Sequence, residues 1–385
     1  MNKASSDVWD YQTCLGLKEG RDTQMHSSVI SQQKSKFAGR RMGLFLACAL
    51  LLVSCLLVTA CAGQPEKVAT KVKVLLVPKF EVGKISGDFP GEAQLFYERY
   101  CAGCEEIAVP NSMPSSHFYM NEDNGVAMLI TGEGKTAAGL SLSSLLSWDE
   151  YDFSDAKIIS VGCGGANTGS FVYGDLIVAT AVCDGELGYG TDSTELGDPE
   201  AVSTWFHSDA YDEYSCHRLN SDLCEKVYQV VKDCPMRTTE TAKKTLAKNF
   251  PNEQWASREP CVSKGTAVTS DTYWKGTWGN ADANYLVDYY GCPDKYAVCE
   301  MEDVAIMSAA KCFGLEDNVI VLRVIVNMDT FLAGESPESL WLGKANFDEM
   351  VEEESGETLD IFEPGMHNLF DVGEKVVDAI LEQEL

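Results

Sequence analysis

Four short segments hold residue types that can do chemistry. The first, Gly132-Glu133-Gly134-Lys135-Thr136, follows an apolar run and precedes a helical one. Glycines at such a strand-to-helix turn let a ligand approach the backbone and the helix N-terminus. A phosphate loop needs glycine five places before Gly134; Leu129 stands there, so that motif fails. Gly132, Gly134 and Ala137 match the spacing of a dinucleotide loop, but the next predicted strand ends in Gly162-Cys163 and not in the acid that a cofactor ribose needs. The second segment is Gly162-Cys163-Gly164-Gly165. Two glycine-lined strand ends in one sheet define a crevice where ligands bind. The third, Thr269 to Trp274 (TSDTYW), puts two aromatics beside a small polar turn. Their flat faces suit a heterocycle, and they equally suit a core. The fourth, Glu300-Met301-Glu302-Asp303, opens an apolar helix, where acids also serve the helix dipole.

Other chemistries are poorly provided for. The five histidines are scattered, and no metalloprotease, nucleophile-elbow or Ser-His-Asp pattern is visible. His207 and His217 lie in a polar middle region and are expected at the surface. Eleven cysteines follow Cys61, with Cys101 and Cys104 forming a single CxxC that has no second pair to complete a zinc site. Those two are expected as a local disulfide or free thiols, and Cys163 and Cys312 as buried thiols. No metal and no cofactor is expected.

These segments need a scaffold. Strands are predicted at 72–78, 126–131, 157–161, 175–181 and 319–326, all continuous apolar runs. Helical spacing covers 91–100, the stretch up to Leu146, 300–313 and 367–385. Alternating buried strands and helices give an α/β fold. The polar stretch 186–258 reads as loops and peripheral helices.

Ahead of this domain, Gly43 to Ala60 is an uncharged apolar run of 18 residues behind Arg40-Arg41. Leu57-Val58-Thr59-Ala60-Cys61 ends it like a bacterial lipobox, which would place a lipid on Cys61. A single uncleaved anchor is the other reading. Either one puts the remainder outside the cytoplasm, tethered to a membrane. The expected organisation is a leader over 1–60, a tether over 61–70 and a domain over 71–385. One apolar run cannot build a multi-span pore.

The chain has 385 residues, with 30 Lys plus Arg against 59 Asp plus Glu, a net charge of −29. Residues 1–60 hold seven of the bases and four of the acids, leaving 23 against 55, a net −32, beyond them. So acidic a surface is repelled by phosphate backbones, which excludes nucleic acid as a partner.

Taken in order, TGEGKTAAGLSLSSLL (131–146), ISVGCGGANTGSFVYGDLIVATAVCDGELGYG (159–190), TSDTYWKG (269–276), CEMEDVAIMSAA (299–310) and VLRVIVNMD (321–329) resemble the purine nucleoside permease family. That family is a branch of the nucleoside phosphorylase superfamily. The resemblance spans residues 72–385. It implies a nucleoside-phosphorylase-like α/β fold, with a mixed, mostly buried sheet flanked by helices. It also implies a purine nucleoside pocket. Gly132 and Gly134 would offer backbone, Cys163 and Gly164 would line purine and ribose, and Tyr273 would stack on the base with Trp274 beside it. Met301 and Glu302 would hold the ribose hydroxyls.

Asn327 stands where many relatives place the Asp that protonates the leaving purine, and Asp329 is the nearby backup. Asn donates a hydrogen bond but no proton. The places matching the phosphate-binding Arg and Ser of phosphorylases are Ser160 and Cys163, which weakens the case for phosphate. Glu81 lies near the position of the water-activating Glu of hydrolytic relatives. The function implied is extracytoplasmic nucleoside binding for uptake. The alternative is an N-ribosyl hydrolase or purine nucleoside phosphorylase. The partners implied are a purine nucleoside and the membrane; a transporter partner and a homo-oligomer stay open.

Overall fold

Apolar runs set the centre of the sheet. The computed structural model describes residues 68–87, 89–190, 205–206, 212–332 and 356–385. Nine strands form the main sheet: β1 (Val74–Val77), β2 (His117–Asn121), β3 (Val126–Ile130), β4 (Lys157–Ala166), β5 (Leu176–Asp184), β6 (Cys216–Arg218), β7 (Val262–Thr269), β8 (Tyr296–Glu300) and β9 (Val319–Met328). Their order is β6-β5-β7-β8-β4-β1-β3-β2, and β9 pairs with both β4 and β5. The pairings β4–β8–β7–β5–β9–β4 therefore close on themselves. Two short pairs, Thr70–Lys71 with Tyr151–Asp152 and Tyr189–Gly190 with Trp205–Phe206, lie outside the main sheet. The fold is mixed α/β, as the alternation of apolar runs implies.

Helices cover both faces. The longer ones are α1 (Lys135–Leu146), α2 (Ser221–Val231), α3 (Glu240–Asn249), α4 (Thr277–Tyr289), α5 (Asp303–Cys312) and α6 (Gly356–Leu381), with short helical stretches at Gln94–Cys101 and Asp212–Ser215. Leu142 and Leu145 of α1 join Ile306 and Met307 of α5 in one apolar layer with Leu75, Leu129 and Ile158 of the sheet. Val227 of α2 and Leu369, Val372 and Val376 of α6 form another with Leu76, Ile159 and Leu322. A smaller layer sets Leu286 and Val287 of α4 on Cys183, Val268 and Tyr296. Each such side chain, fully buried, contributes roughly 1.5–3 kcal/mol. Both sheet faces are dry, so β1, β5 and most of β9 show no polar alternation.

The glycines of β4 explain why it runs further than its apolar part. The sequence places Gly162-Cys163-Gly164-Gly165 at a strand end; the structure keeps the segment inside β4, which continues to Ala166. A Cβ on Gly164 would stand 2.5 Å from the Cys299 carbonyl oxygen, and one on Gly165 2.7 Å from Asn327 Nδ2. Without side chains there, β8 and β9 close in on both sides and pairing continues. Other boundaries also differ. Glu300 ends β8 and does not open a helix; α5 starts at Asp303. The closing helix begins at Gly356, with Pro364 inside it. Among the described residues no helix is long and apolar enough to cross a membrane. The apolar run 43–60 and Cys61 lie outside the described residues.

Candidate functional site

The loops after β3, β7 and β8 meet. Gly132 and Gly134 both have positive φ, at 85° and 87°, which shapes the turn into α1. The Gly134 N–H donates to Glu302 Oε1 at 2.9 Å, and the Lys135 N–H donates to Asp271 Oδ1 at 2.7 Å. The first free N–H groups of α1 are thus answered by acids from the loops after β8 and β7. Glu186 adds a second tie. Its carboxylate accepts from Ser270 Oγ and from the N–H groups of Asp271 and Thr272, and it pairs with Lys135 Nζ at 2.9 Å. Burial would raise Glu186, yet Lys135 and those donors bring it down to about 2.

Beneath these loops lies a buried charge cluster. Arg323, in the middle of β9, donates from Nε and Nη2 to Asp303, and from Nη2 also to Glu300 (3.0 Å) and Glu302 (3.3 Å). Its Nη1 reaches the Cys163 carbonyl oxygen at 3.2 Å. Lys79, just after β1, donates from Nζ to Ser160 Oγ and to the carbonyls of Val77 and Val161. Glu92 accepts from the N–H groups of Lys79 and Cys163. All six charged residues are buried. A Cβ on Gly162 would sit 2.4 Å from Arg323 Nη1 and 2.8 Å from Glu92 Oε1, so that glycine makes room for the cluster.

Four acids against two bases cannot all stay charged cheaply in a dry site. Burial, then the charge of Asp303, pushes Glu300 up to about 7, and burial also raises Glu302. Burial works on Asp303 too, but Arg323 and Lys79 outweigh it and hold that carboxyl below the usual range. Lys79 is lowered by burial and by Arg323.

Asn327 is the contrasting group. It is half-buried beside Gly165, and its carboxamide has no hydrogen-bond partner among the described residues. The sequence model of the purine nucleoside permease (NUP) family matches residues 71–384. The chain belongs to the purine nucleoside permease family. A probable purine nucleoside permease of Schizosaccharomyces pombe is 24% identical over 225 residues, covering 54% of this chain. This chain spans 64% of that relative's length. Among solved structures, a 5′-methylthioadenosine/S-adenosylhomocysteine nucleosidase from Colwellia psychrerythraea, in complex with adenine, is similar at 15% identity and a TM-score of 0.48, covering 81% of this chain and 95% of that one. A futalosine hydrolase of Helicobacter pylori is similar at 14% identity and a TM-score of 0.47, covering 80% and 97%.

In this permease-family chain the motif residues fall into three groups. Gly134, Glu302 and Cys163 are joined through Arg323, and Gly164 lies against β8 opposite Asn327's strand. Gly132 turns the chain above them, and half-buried Met301 links β8 to α5. Tyr273 is 45% exposed, whereas Trp274 lies over Gly279 of α4 and joins the apolar layer there. Asp329 stands apart. Fully buried, it accepts from Thr168 N–H and Oγ1, Asn280 Nδ2 and Tyr296 OH, and so pins the end of β9 to α4 and β8. Glu81 accepts from four backbone N–H groups, of Val82, Gly91, Ala93 and Gln94, and holds the chain around Gln94–Cys101.

Three side-chain placements differ from expectation. His217 is buried on β6 against Ser308, because β6 pairs with β5 under α5. Cys312 is exposed at the end of α5, and Cys163 is half-buried. Cys101 and Cys104 are free thiols. Arg323, Lys79 and Glu92 are not among the residues that the sequence motifs single out. The available signal was a cation inside the run VIVLRVIV, which needs buried acids as partners.

Proposed function

We propose that this chain captures a purine nucleoside outside the cytoplasm and serves its uptake, held at a membrane by its N-terminal segment, with Cys61 as the lipid-bearing residue. Membership of the permease family and the convergence of the β3, β7 and β8 loops support this reading. The observation that carries it is the commitment of the two buried cations, Lys79 and Arg323, to protein acceptors. A phosphorolytic enzyme needs donors left over for phosphate, and these two are spent on carboxylates, carbonyls and a hydroxyl. Asn327 then supplies a hydrogen bond for the base, and Glu302 retains lone pairs for sugar hydroxyls.

One observation favours a second reading. The unpartnered carboxamide of Asn327 suits a purine leaving as an anion, because a preorganised donor stabilises developing charge. On that reading the chain is a nucleoside hydrolase that releases free ribose. The deciding experiment incubates the purified protein with inosine and adenosine, with and without phosphate, followed by chromatography. Retention of intact nucleoside is expected. Phosphate-dependent ribose 1-phosphate would overturn capture, and phosphate-independent free base would establish the hydrolase.

A further inference from the structure

Three cysteines meet in the apolar layer that α4 sets on the sheet. Cys183 lies near the end of β5 and Cys216 opens β6, directly opposite it in the antiparallel register. Cys292 comes from the connection between α4 and β8. Their sulfurs form a closed triangle of 2.9 Å (Cys183–Cys216), 3.4 Å (Cys183–Cys292) and 3.5 Å (Cys216–Cys292). Cys183 is buried and the other two are half-buried, so the triangle has a solvent side. The chain positions are 33 and 76 residues apart, a spacing no metal motif would flag.

Arg218 brings positive charge near Cys216 and Cys292. Arg218 also donates from Nη2 to the carbonyls of Tyr290 (2.7 Å) and Gly291 (3.3 Å), which fixes the loop carrying Cys292. Ligand orientation by a surrounding hydrogen-bond shell is a usual feature of metal sites.

We propose that Cys183, Cys216 and Cys292 form a three-thiolate site for a soft monovalent cation, Cu(I). Thiolate sulfur selects soft cations. Among the described residues no His, Cys, Asp or Glu completes the group as a fourth ligand. Zinc would need a water as its fourth ligand, whereas Cu(I) is satisfied by three thiolates. Metal–sulfur bonds of about 2.3 Å around a planar centre put the sulfurs about 4.0 Å apart, so the triangle opens by roughly half to one ångström on loading. Each protonated thiol releases its proton to solvent as its sulfur takes the metal, and copper enters already reduced, so no electron transfer is needed. Arg218 offsets part of the negative charge of the complex. The occupied site would brace β5, β6 and the α4–β8 connection. Cys183 directly precedes Asp184, whose carboxylate holds Lys135 at the α1 turn.

The test uses the full chain, reduced and kept anaerobic, titrated with Cu(I) supplied as its acetonitrile complex against a chromogenic Cu(I) chelator. We expect a tight equivalent with ultraviolet thiolate-to-copper absorption that is lost in Cys292→Ser and in Cys216→Ser, with affinity falling by about 100-fold or more. Cys224→Ser, a buried cysteine on α2, should retain it. X-ray absorption of the loaded protein should show three sulfur neighbours. Binding unchanged in Cys292→Ser overturns the proposal. So does a Cys183–Cys216 disulfide, found by alkylation and mass mapping, that resists reductant and leaves the protein unable to take Cu(I).

Discussion

Asn327 and Glu302 differ in how much of each side chain the protein itself consumes. Asn327 gives none of its hydrogen-bonding capacity to described neighbours, so removing it should cost little stability. We expect Asn327→Ala to keep its urea midpoint while losing about 0.5–1.5 kcal/mol of purine nucleoside binding, one hydrogen bond's worth, by calorimetry. An unchanged affinity would remove it from the site. Glu302 is partly consumed by Gly134 and Arg323, and Glu302→Ala would leave the Gly134 N–H without its acceptor, at roughly 1–3 kcal/mol. Glu302→Gln is the informative variant. The wild type should prefer inosine to hypoxanthine, and the Gln variant should narrow that gap. Equal affinity of the wild type for both ligands would sink the ribose assignment. The aromatic pair separates the same way. Tyr273→Ala, at an exposed ring, should weaken nucleoside binding by about 1–3 kcal/mol, the size of a base-stacking contact, with thermal stability unchanged. Trp274→Ala should instead lower thermal stability, since that ring fills space over α4. The reverse pattern in melting and binding would exchange their roles. These residues were legible because each sits in a short contiguous motif. Lys79, Glu92 and Arg323 were not, because a buried ion cluster is assembled from segments distant in sequence.

At the scale of elements, β4 is the joint on which the site depends. It pairs with β1, β8 and β9, and its glycines decide how near those strands and Arg323 come. Gly162→Ala pushes a methyl into Arg323 and Glu92, both held in place by other bonds. We expect a loss of about 1–3 kcal/mol from overpacking, and more where the ion cluster shifts. Gly139→Ala is the matched control. It lies within α1, where the new methyl meets only Ala305, 3.4 Å from its side chain and 3.9 Å from its carbonyl oxygen. Helix propensity then favours the variant by up to about 1 kcal/mol. Chemical denaturation of both should give opposite signs, and a neutral Gly162→Ala would mean that the cluster tolerates displacement. Apolar runs announced β1, β3, β4, β5 and β9, since strands buried on both faces need no alternation. β2, β6, β7 and β8 are not announced by the sequence, because they carry His, Asn, Arg, Lys, Thr or Glu at positions that tertiary pairing, not local pattern, draws into the sheet. The end of β4 was misplaced for the opposite reason. Glycines that mark a turn in isolation here admit neighbouring strands.

For the whole molecule, place and charge act together. If Cys61 bears a lipid, Cys61→Ser should abolish labelling by a fatty-acid probe and release the chain from membranes; a labelled mutant would defeat the lipoprotein reading. Charge makes a second prediction, about pH. The net charge of −29 repels itself, and a buried cluster with two more acids than bases repels itself harder. Glu300 answers with a folded pKa of about 7 against an ordinary 4.5. Between those values the folded chain keeps a proton that the unfolded chain releases, so stability falls as pH rises. Its full contribution is present below about 4.5 and lost above about 7, worth about 3 kcal/mol at this buried position. Asp282, raised by burial to about 6, acts in the same direction. Glu186 acts oppositely, being lowered to about 2; its contribution is present above its ordinary 4.5 and fades as pH drops toward 2. The stability maximum should therefore lie in mild acid. Urea midpoints measured from pH 5 to 8 should decline across the range, and Glu300→Gln, which fixes the neutral form, should flatten the decline. A wild-type midpoint that holds steady or climbs from pH 5 to 7, at constant slope, would mean that Glu300 is already ionised in the fold and that Arg323 balances more charge than burial removes.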